Sequence, residues 1–122
     1  MSRSWLLYLD DLIASAEKIE RMTAGRNFEQ FVAEEAIFDA VLFNLQVIGE
    51  AVKKMPDNAR LLFTDVYRSA PARLRDLIAH HYFALDPDIV WEVARRHIPM
   101  LLGEAKVLRS RMDGPLTPTD PK

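Results

Sequence analysis

An arginine, an aspartate, two histidines and a tyrosine lie close together in the stretch from Arg75 to Tyr82. An arginine guanidinium binds a phosphate through two parallel charged hydrogen bonds. Histidine titrates near neutral pH, so His80 is able to take or give a proton at cellular pH. These groups suit phosphate chemistry on RNA, because RNA supplies its own 2′-hydroxyl nucleophile. A protein then only has to move protons and stabilise the charge of the phosphorane.

Helix geometry restricts how these groups can work together. At about 100° per residue, Arg75 and Tyr82 lie on nearly the same helix face, whereas His80 is rotated by about 140° from Arg75. A single helix does not easily focus all three. A two-fold homodimer that packs this segment against its symmetry mate would bring a second Arg75 and a second His80 into one shared groove. We therefore expect dimerisation to be part of the site.

The candidate RNA-binding residues are arginines near this stretch. The whole chain has a net charge of -2 and a pI of about 5.9, which argues against broad, non-specific adhesion to nucleic acid. Any positive groove must therefore come from local clustering. The candidates are Arg68, Arg73, Arg95 and Arg96.

The same residues have a simpler interpretation. An arginine followed five positions later by a histidine is common by chance, Tyr82 and Phe83 would also serve as core aromatics, and Asp76 would pair with Arg73 on the surface. The alternative to an enzyme is a catalytically silent helical dimer that binds RNA or a partner protein as a scaffold.

Other catalytic classes lack their residues. The chain has no cysteine, and it contains no Glu-x-x-His pair of the kind that builds di-metal sites in helical bundles. Glu34, Glu35 and Asp39 are more typical of a solvated face than of a metal site. His97 lies on an apolar helix stripe, where a core or interface histidine is the favoured interpretation. We expect no metal and no cofactor.

The spacing of apolar residues predicts an all-α protein. It indicates helices over Trp5–Met22, over Phe28–Lys54, from Ser69 to about His81, and from Asp86 to about Met112. Pro99 should kink the last of these, because proline removes one backbone hydrogen bond. An up-and-down four-helix bundle follows.

The remaining segments complete the organisation. Residues 58–71 read as an irregular connection with one additional short helix or turn. We expect one domain over residues 1–112 and a disordered tail over residues 113–122. The first residues lack the apolar run of a signal peptide, and no stretch is apolar enough to cross a bilayer, so a cytoplasmic protein with no membrane partner is expected.

The stretch RDLIAHHYF followed by ALDPDIVW resembles the Arg-x4-His-x-Tyr motif of the HepT toxins, which are members of the HEPN superfamily of helical proteins. The likeness extends upstream to DAVLFNLQVIGEAVKKMP, from Asp39 to Pro56, which looks like the long second helix of that family. The resemblance implies a HEPN four-helix bundle, a homodimer, and a metal-independent endoribonuclease that serves as the toxin of a toxin-antitoxin pair.

The resemblance also implies a role for each motif residue. Arg75 would stabilise the phosphate, His80 would be the general acid or base, and Asp76 would orient or support them. Tyr82 matches the tyrosine to which a MntA-type nucleotidyltransferase antitoxin adds AMP from ATP. A charged adenylate at that position would block RNA and repel its phosphates.

Two positions depart from the commonest family pattern. Asp76 stands where asparagine is frequent, and His81 stands where glycine is frequent between the histidine and the tyrosine. His81 either shares proton transfer with His80 or merely covers the groove. The motif spacing favours His80 as the catalytic histidine.

Overall fold

The computed structural model describes residues 4–60 and 86–113. Its first element is helix α1. It spans Trp5–Thr23, and the side chain of Ser4 caps it by accepting a hydrogen bond from the Leu6 amide. The chain then turns at Gly25, whose φ of 74° lies in the left-handed region that favours glycine. The first predicted helix and the break after it are therefore confirmed.

The second predicted helix, Phe28–Lys54, is wrong as a single element. The structure has α2 at Phe28–Ala33 and α3 at Glu35–Lys54, separated by Glu34 with φ of -94° and ψ of 87°. The side chain of Arg26 pairs with that of Glu34 and so ties the break to the preceding turn. The break interrupts the helix axis, and the fully buried Phe31 of α2 packs against Phe38 of α3 and against the distant Trp91.

A short helix follows α3. Helix α4 spans Asp57–Arg60, and Met55 and Ala59 on either side of its start are buried. It begins one residue before the connection in which a short helical turn was expected. The rest of that connection, the predicted helix from Ser69 to His81 and the predicted tail beyond residue 113 lie outside the described residues.

The last helical segment contains an irregular turn. It consists of α5 at Pro87–Glu92, a π turn at Val93–His97 and α6 at Ile98–Asp113, and we call the three together the last helix. In the π turn the amide of Ile98 donates to the carbonyl of Val93, five residues back. Pro99 has no amide hydrogen, and its ring crowds the carbonyl four residues earlier. The disturbance expected at Pro99 thus takes the form of a widened turn just before it.

Helix α1 packs against both α3 and the last helix. Contacts along its length show that α1 and the last helix are antiparallel: Asp10 meets Arg109 at 2.7 Å, Glu17 meets Lys106 at 3.2 Å and Thr23 meets Arg95 at 3.1 Å. The core between these helices is made of fully buried aliphatic side chains, which include Leu9, Leu12, Ile19, Leu45, Ile48 and Leu101. The described residues are all-α, as the apolar spacing predicts.

Two phenylalanines give a matched test of this core. Phe31 is 0% exposed and Phe43 is 65% exposed. Phe31→Ala should lower the free energy of unfolding by about 3 to 5 kcal/mol, because it removes a buried ring and leaves a cavity. Phe43→Ala should cost less than about 1 kcal/mol, as is usual for a surface position. Urea denaturation followed by circular dichroism measures both, and equal losses for the two variants would contradict the packing described here.

Candidate functional site

Most of the sequence-predicted site lies outside the described residues. This holds for all three predicted catalytic residues, for the tyrosine and the second histidine of the motif, and for two of the four candidate RNA-binding arginines: Arg75, Asp76, His80, Tyr82, His81, Arg68 and Arg73. Their roles therefore stay predictions. The two remaining candidates, Arg95 and Arg96, lie in the π turn of the last helix.

The start of the last helix is the described point nearest in sequence to the motif. Asp86 is its N-cap, and its carboxylate accepts a hydrogen bond of 2.9 Å from the amide of Asp88 while Pro87 occupies the first turn. Tyr82 precedes Asp86 by only four residues, a chain length that spans at most about 14 Å when extended. The cap therefore fixes the start of the last helix, four residues after the motif ends in sequence.

Arg95 is held by two neighbours. Its Nη1 donates a hydrogen bond of 3.1 Å to the hydroxyl of Thr23 at the end of α1, and its guanidinium carbon lies 5.8 Å from the centroid of the Trp91 ring. The arginine itself remains exposed to solvent. Contacts with a cation over an aromatic ring are favourable because the ring face carries partial negative charge. The guanidinium is thus oriented while its outer side stays accessible.

Arg96 has a different environment although it is the next residue. Its side chain is 73% exposed and lies 3.5 Å from the carboxylate of Glu92, one turn earlier. Such an exposed pair contributes little to stability, but it does offset the positive charge locally. The two arginines are equal candidates in the sequence. In the structure they differ, because Arg96 pairs with a carboxylate whereas Arg95 contacts a hydroxyl and an aromatic ring.

Sequence reasoning did not identify Thr23 or Trp91 as functional candidates. No local pattern links Thr23 to Arg95, which is 72 residues away. A signal did exist for Trp91, since Trp91 and Arg95 have the i, i+4 spacing that places two side chains together on one helix face.

The other polar residues weighed from sequence have ordinary surroundings. His97 is partly buried, with its Nδ1 atom shielded from solvent, which fits a core histidine. Glu34, Glu35 and Asp39 are all exposed, and Glu34 pairs with Arg26. Within residues 4–60 and 86–113, no three histidine, aspartate or glutamate side chains cluster in a way that could hold a metal ion.

A groove of about 280 Å³ lies between α1 and α3. Its walls include Tyr8, Phe43 and the carboxylates Asp11 and Glu50, and its cation Lys54 lies 3.9 Å from Glu50 and 5.9 Å from the ring centroid of Tyr8. Two carboxylates facing one paired lysine give a negative groove, which repels phosphate. This groove is therefore poorly suited to binding a phosphate.

Comparison with known proteins places the chain in a family. The family model described as Ribonuclease HepT-like matches residues 12–108. This chain belongs to the HepT-like ribonuclease family. The match confirms the resemblance stated from the motif, and the HepT-like region contains the whole stretch from Arg75 to Tyr82 as well as Thr23, Trp91 and Arg95.

Individual relatives carry ribonuclease names. The protein of Thermococcus cleftensis named Probable ribonuclease HepT is 35% identical over 109 residues, which cover 89% of this chain and 99% of the relative. A Methanocaldococcus jannaschii protein named Putative RNase is 36% identical over 80% of this chain and 84% of its own length. A protein with the same descriptive name from Caldanaerobacter subterraneus subsp. tengcongensis is 32% identical over 81% and 88%.

No solved structure was found to match the chain. In the part of the chain that the structure describes, no helix has the length and apolar character needed to span a membrane.

The cap at Asp86 provides a testable prediction for this HepT-like chain. Asp86→Ala should lower the free energy of unfolding by about 1 kcal/mol, because the amide of Asp88 in the first turn of the last helix loses its side-chain acceptor. Asp86→Asn keeps an acceptor oxygen and should stay close to the original stability. Chemical denaturation of the two variants checks this, and an alanine variant as stable as the asparagine variant would show that the cap has no such role.

Proposed function

We propose that this protein is the ribonuclease toxin of a toxin-antitoxin pair and cleaves RNA in the cytoplasm as a homodimer. The observation that carries the proposal is the motif of Arg75, His80 and Tyr82, which lies within the region matched by the HepT-like ribonuclease family. The ribonuclease names of the relatives support the activity. The catalytic domain corresponds to residues 1–112, and the family match ends within it at residue 108.

The proposed reaction transfers protons and replaces one phosphorus–oxygen bond with another. A His80 imidazole removes the proton from the 2′-hydroxyl, and the 2′-oxygen attacks the adjacent phosphorus. Arg75 stabilises the charge that develops on the phosphorane oxygens, and Asp76 orients the neighbouring groups. The bond from phosphorus to the 5′-oxygen then breaks, and a second imidazolium gives that oxygen its proton. The products are a 2′,3′-cyclic phosphate and a 5′-hydroxyl.

The homodimer is proposed because the reaction needs more groups than one helix presents together. Arg75 and His80 are about 140° apart on a helix, and a base and an acid are both required. Two-fold packing of this segment supplies each residue twice in one groove. His81 has an auxiliary role in this proposal, either in proton transfer or in covering the groove.

Regulation is proposed to occur at Tyr82. A MntA-type nucleotidyltransferase antitoxin would direct the tyrosine oxygen to the α-phosphorus of ATP, so that an O-AMP-tyrosine forms and pyrophosphate leaves. The adenylate adds bulk and negative charge close to the catalytic groups. Both effects oppose the binding of an RNA phosphate.

The catalytic prediction compares neighbouring histidines. In the presence of EDTA, the purified protein should cleave RNA, and His80→Ala should lower the rate by about a hundredfold or more, as expected for loss of a general acid or base. His81→Ala is the matched comparison and should lose much less activity than His80→Ala, because the proposed role of His81 is auxiliary. Gel analysis of the RNA and its 2′,3′-cyclic phosphate ends gives the rates.

Two checks make that assay decisive. Circular dichroism must show that each protein is folded, and intact mass must show that it carries no AMP. If the original protein and His80→Ala then leave RNA equally intact, the ribonuclease proposal is wrong, and the silent scaffold becomes the better account.

The antitoxin prediction concerns a mass change. Coexpression with a nucleotidyltransferase encoded beside this protein should add AMP to it, and peptide mass spectrometry should locate the group on Tyr82. Tyr82→Phe lacks the phenolic oxygen and should remain unmodified. An adduct on another residue, or no adduct with an active nucleotidyltransferase, would contradict this regulation.

A further inference from the structure

The hydrogen bond and the ring contact of Arg95 are both with uncharged groups. Five basic residues lie within 4 Å of a carboxylate: Arg26, Lys54, Arg96, Lys106 and Arg109. Within residues 4–60 and 86–113, no carboxylate forms an ion pair with Arg95. Its positive charge is therefore oriented by the fold without being neutralised by it.

The anchor at Thr23 is well defined. Thr23 is 0% exposed, and its hydroxyl donates a hydrogen bond of 2.8 Å to the carbonyl of Ile19. A hydroxyl has one hydrogen, so the same oxygen is left to accept from Nη1 of Arg95 at 3.1 Å. This directional contact fixes one edge of the guanidinium against the end of α1.

The second anchor is itself supported by the core. The Trp91 ring lies 4.9 Å from the fully buried ring of Phe31 and 6.4 Å from the ring of Phe28. The guanidinium carbon of Arg95 lies 5.8 Å from the Trp91 centroid. Because the indole packs against these two rings, it gives the guanidinium a supported surface.

We infer that Arg95 is a binding residue for a backbone phosphate of the RNA substrate; this rests on the proposed ribonuclease function. A guanidinium has five N–H donors, and the contact with Thr23 uses one of them. The others remain for a forked, charge-assisted contact with phosphate oxygens. Prior orientation reduces the side-chain entropy that is lost on binding. Thr23 and Trp91 are positioning residues, and Arg96, already paired with Glu92, contributes less.

The test uses the full chain with His80→Ala, which prevents cleavage, and a short fluorescent single-stranded RNA as the probe. Fluorescence anisotropy gives the dissociation constant at several NaCl concentrations. Arg95→Gln should weaken binding about tenfold, the effect of losing one charged hydrogen bond. It should also reduce the slope of log affinity against log salt by about 0.7, the value for one phosphate contact on a single strand. Arg96→Gln is the matched control and should weaken binding by less than about threefold.

Two further variants separate orientation from charge. Arg95→Lys and Thr23→Val each keep a positive charge at residue 95, so they should retain most of the salt slope while binding RNA more weakly than the unchanged residue. Thermal unfolding of every variant shows whether it is folded. If Arg95→Gln does not fold, these two variants decide the question, because a purely structural Arg95 would leave RNA affinity unchanged in any variant that folds.

Each outcome has one meaning. Equal losses for Arg95→Gln and Arg96→Gln, or an unchanged salt slope in Arg95→Gln, would overturn the role of Arg95 while the proposed ribonuclease function stands. If the folded His80→Ala protein binds no RNA at low salt, the proposed function is overturned and the role of Arg95 with it.

Discussion

The structure depends on the burial of α1 on two sides. Leu9, Leu12, Ala16 and Ile19 are fully buried where α1 packs against α3 and the last helix. Each such aliphatic side chain contributes about 1.5 to 3 kcal/mol when it is removed from water, apart from the smaller alanine. The ion pairs beside this seam are partly exposed and contribute much less. Apolar burial holds the helices together. The ion pairs between α1 and the last helix determine which of their residues face each other.

The sequence predicted the elements whose signals are local. The apolar spacing of α1 appears within a single helix, and Asp86 followed by Pro87 is a complete helix start in two residues. The break at Glu34 was missed because neither Ala33 nor Glu34 is a turn former. It depends on Phe31 reaching Trp91, a residue 60 positions later, and on the pair between Arg26 and Glu34. A tertiary contact of this kind leaves no periodic pattern to read.

The candidate site shows the same division between local and distant information. The spacing of Arg75, His80 and Tyr82 is a motif within eight residues. Together with the flanking stretch and the segment from Asp39 to Pro56, it indicated the family that the comparison confirms. The difference between Arg95 and Arg96 was predictable only in part, because the i, i+4 spacing of Trp91 and Arg95 is local whereas the contact with Thr23 is not. It arises from Thr23 in another helix and from the ring beneath the guanidinium. Sequence gives the residue types of a site more readily than it gives their orientation.

The break at Glu34 and the π turn, which are the two departures from regular helix, both lie next to Trp91. The break at Glu34 lets Phe31 pack on Trp91, and the π turn begins two residues after Trp91 and carries Arg95. Because Pro99 cannot continue the backbone hydrogen bonding of a regular helix, the wider turn before it changes the angular position of every later residue relative to α5. Arg95 therefore reaches Thr23 of α1 from inside an irregular turn, while Trp91 remains in the regular helix below it. Departures from local rules are common near functional sites, which accords with the role proposed for Arg95. A continuous series of contacts leads from the buried core to an exposed cation, from Phe31 through Trp91 to Arg95. The position of that cation is therefore set by core packing and by Thr23 at the end of α1.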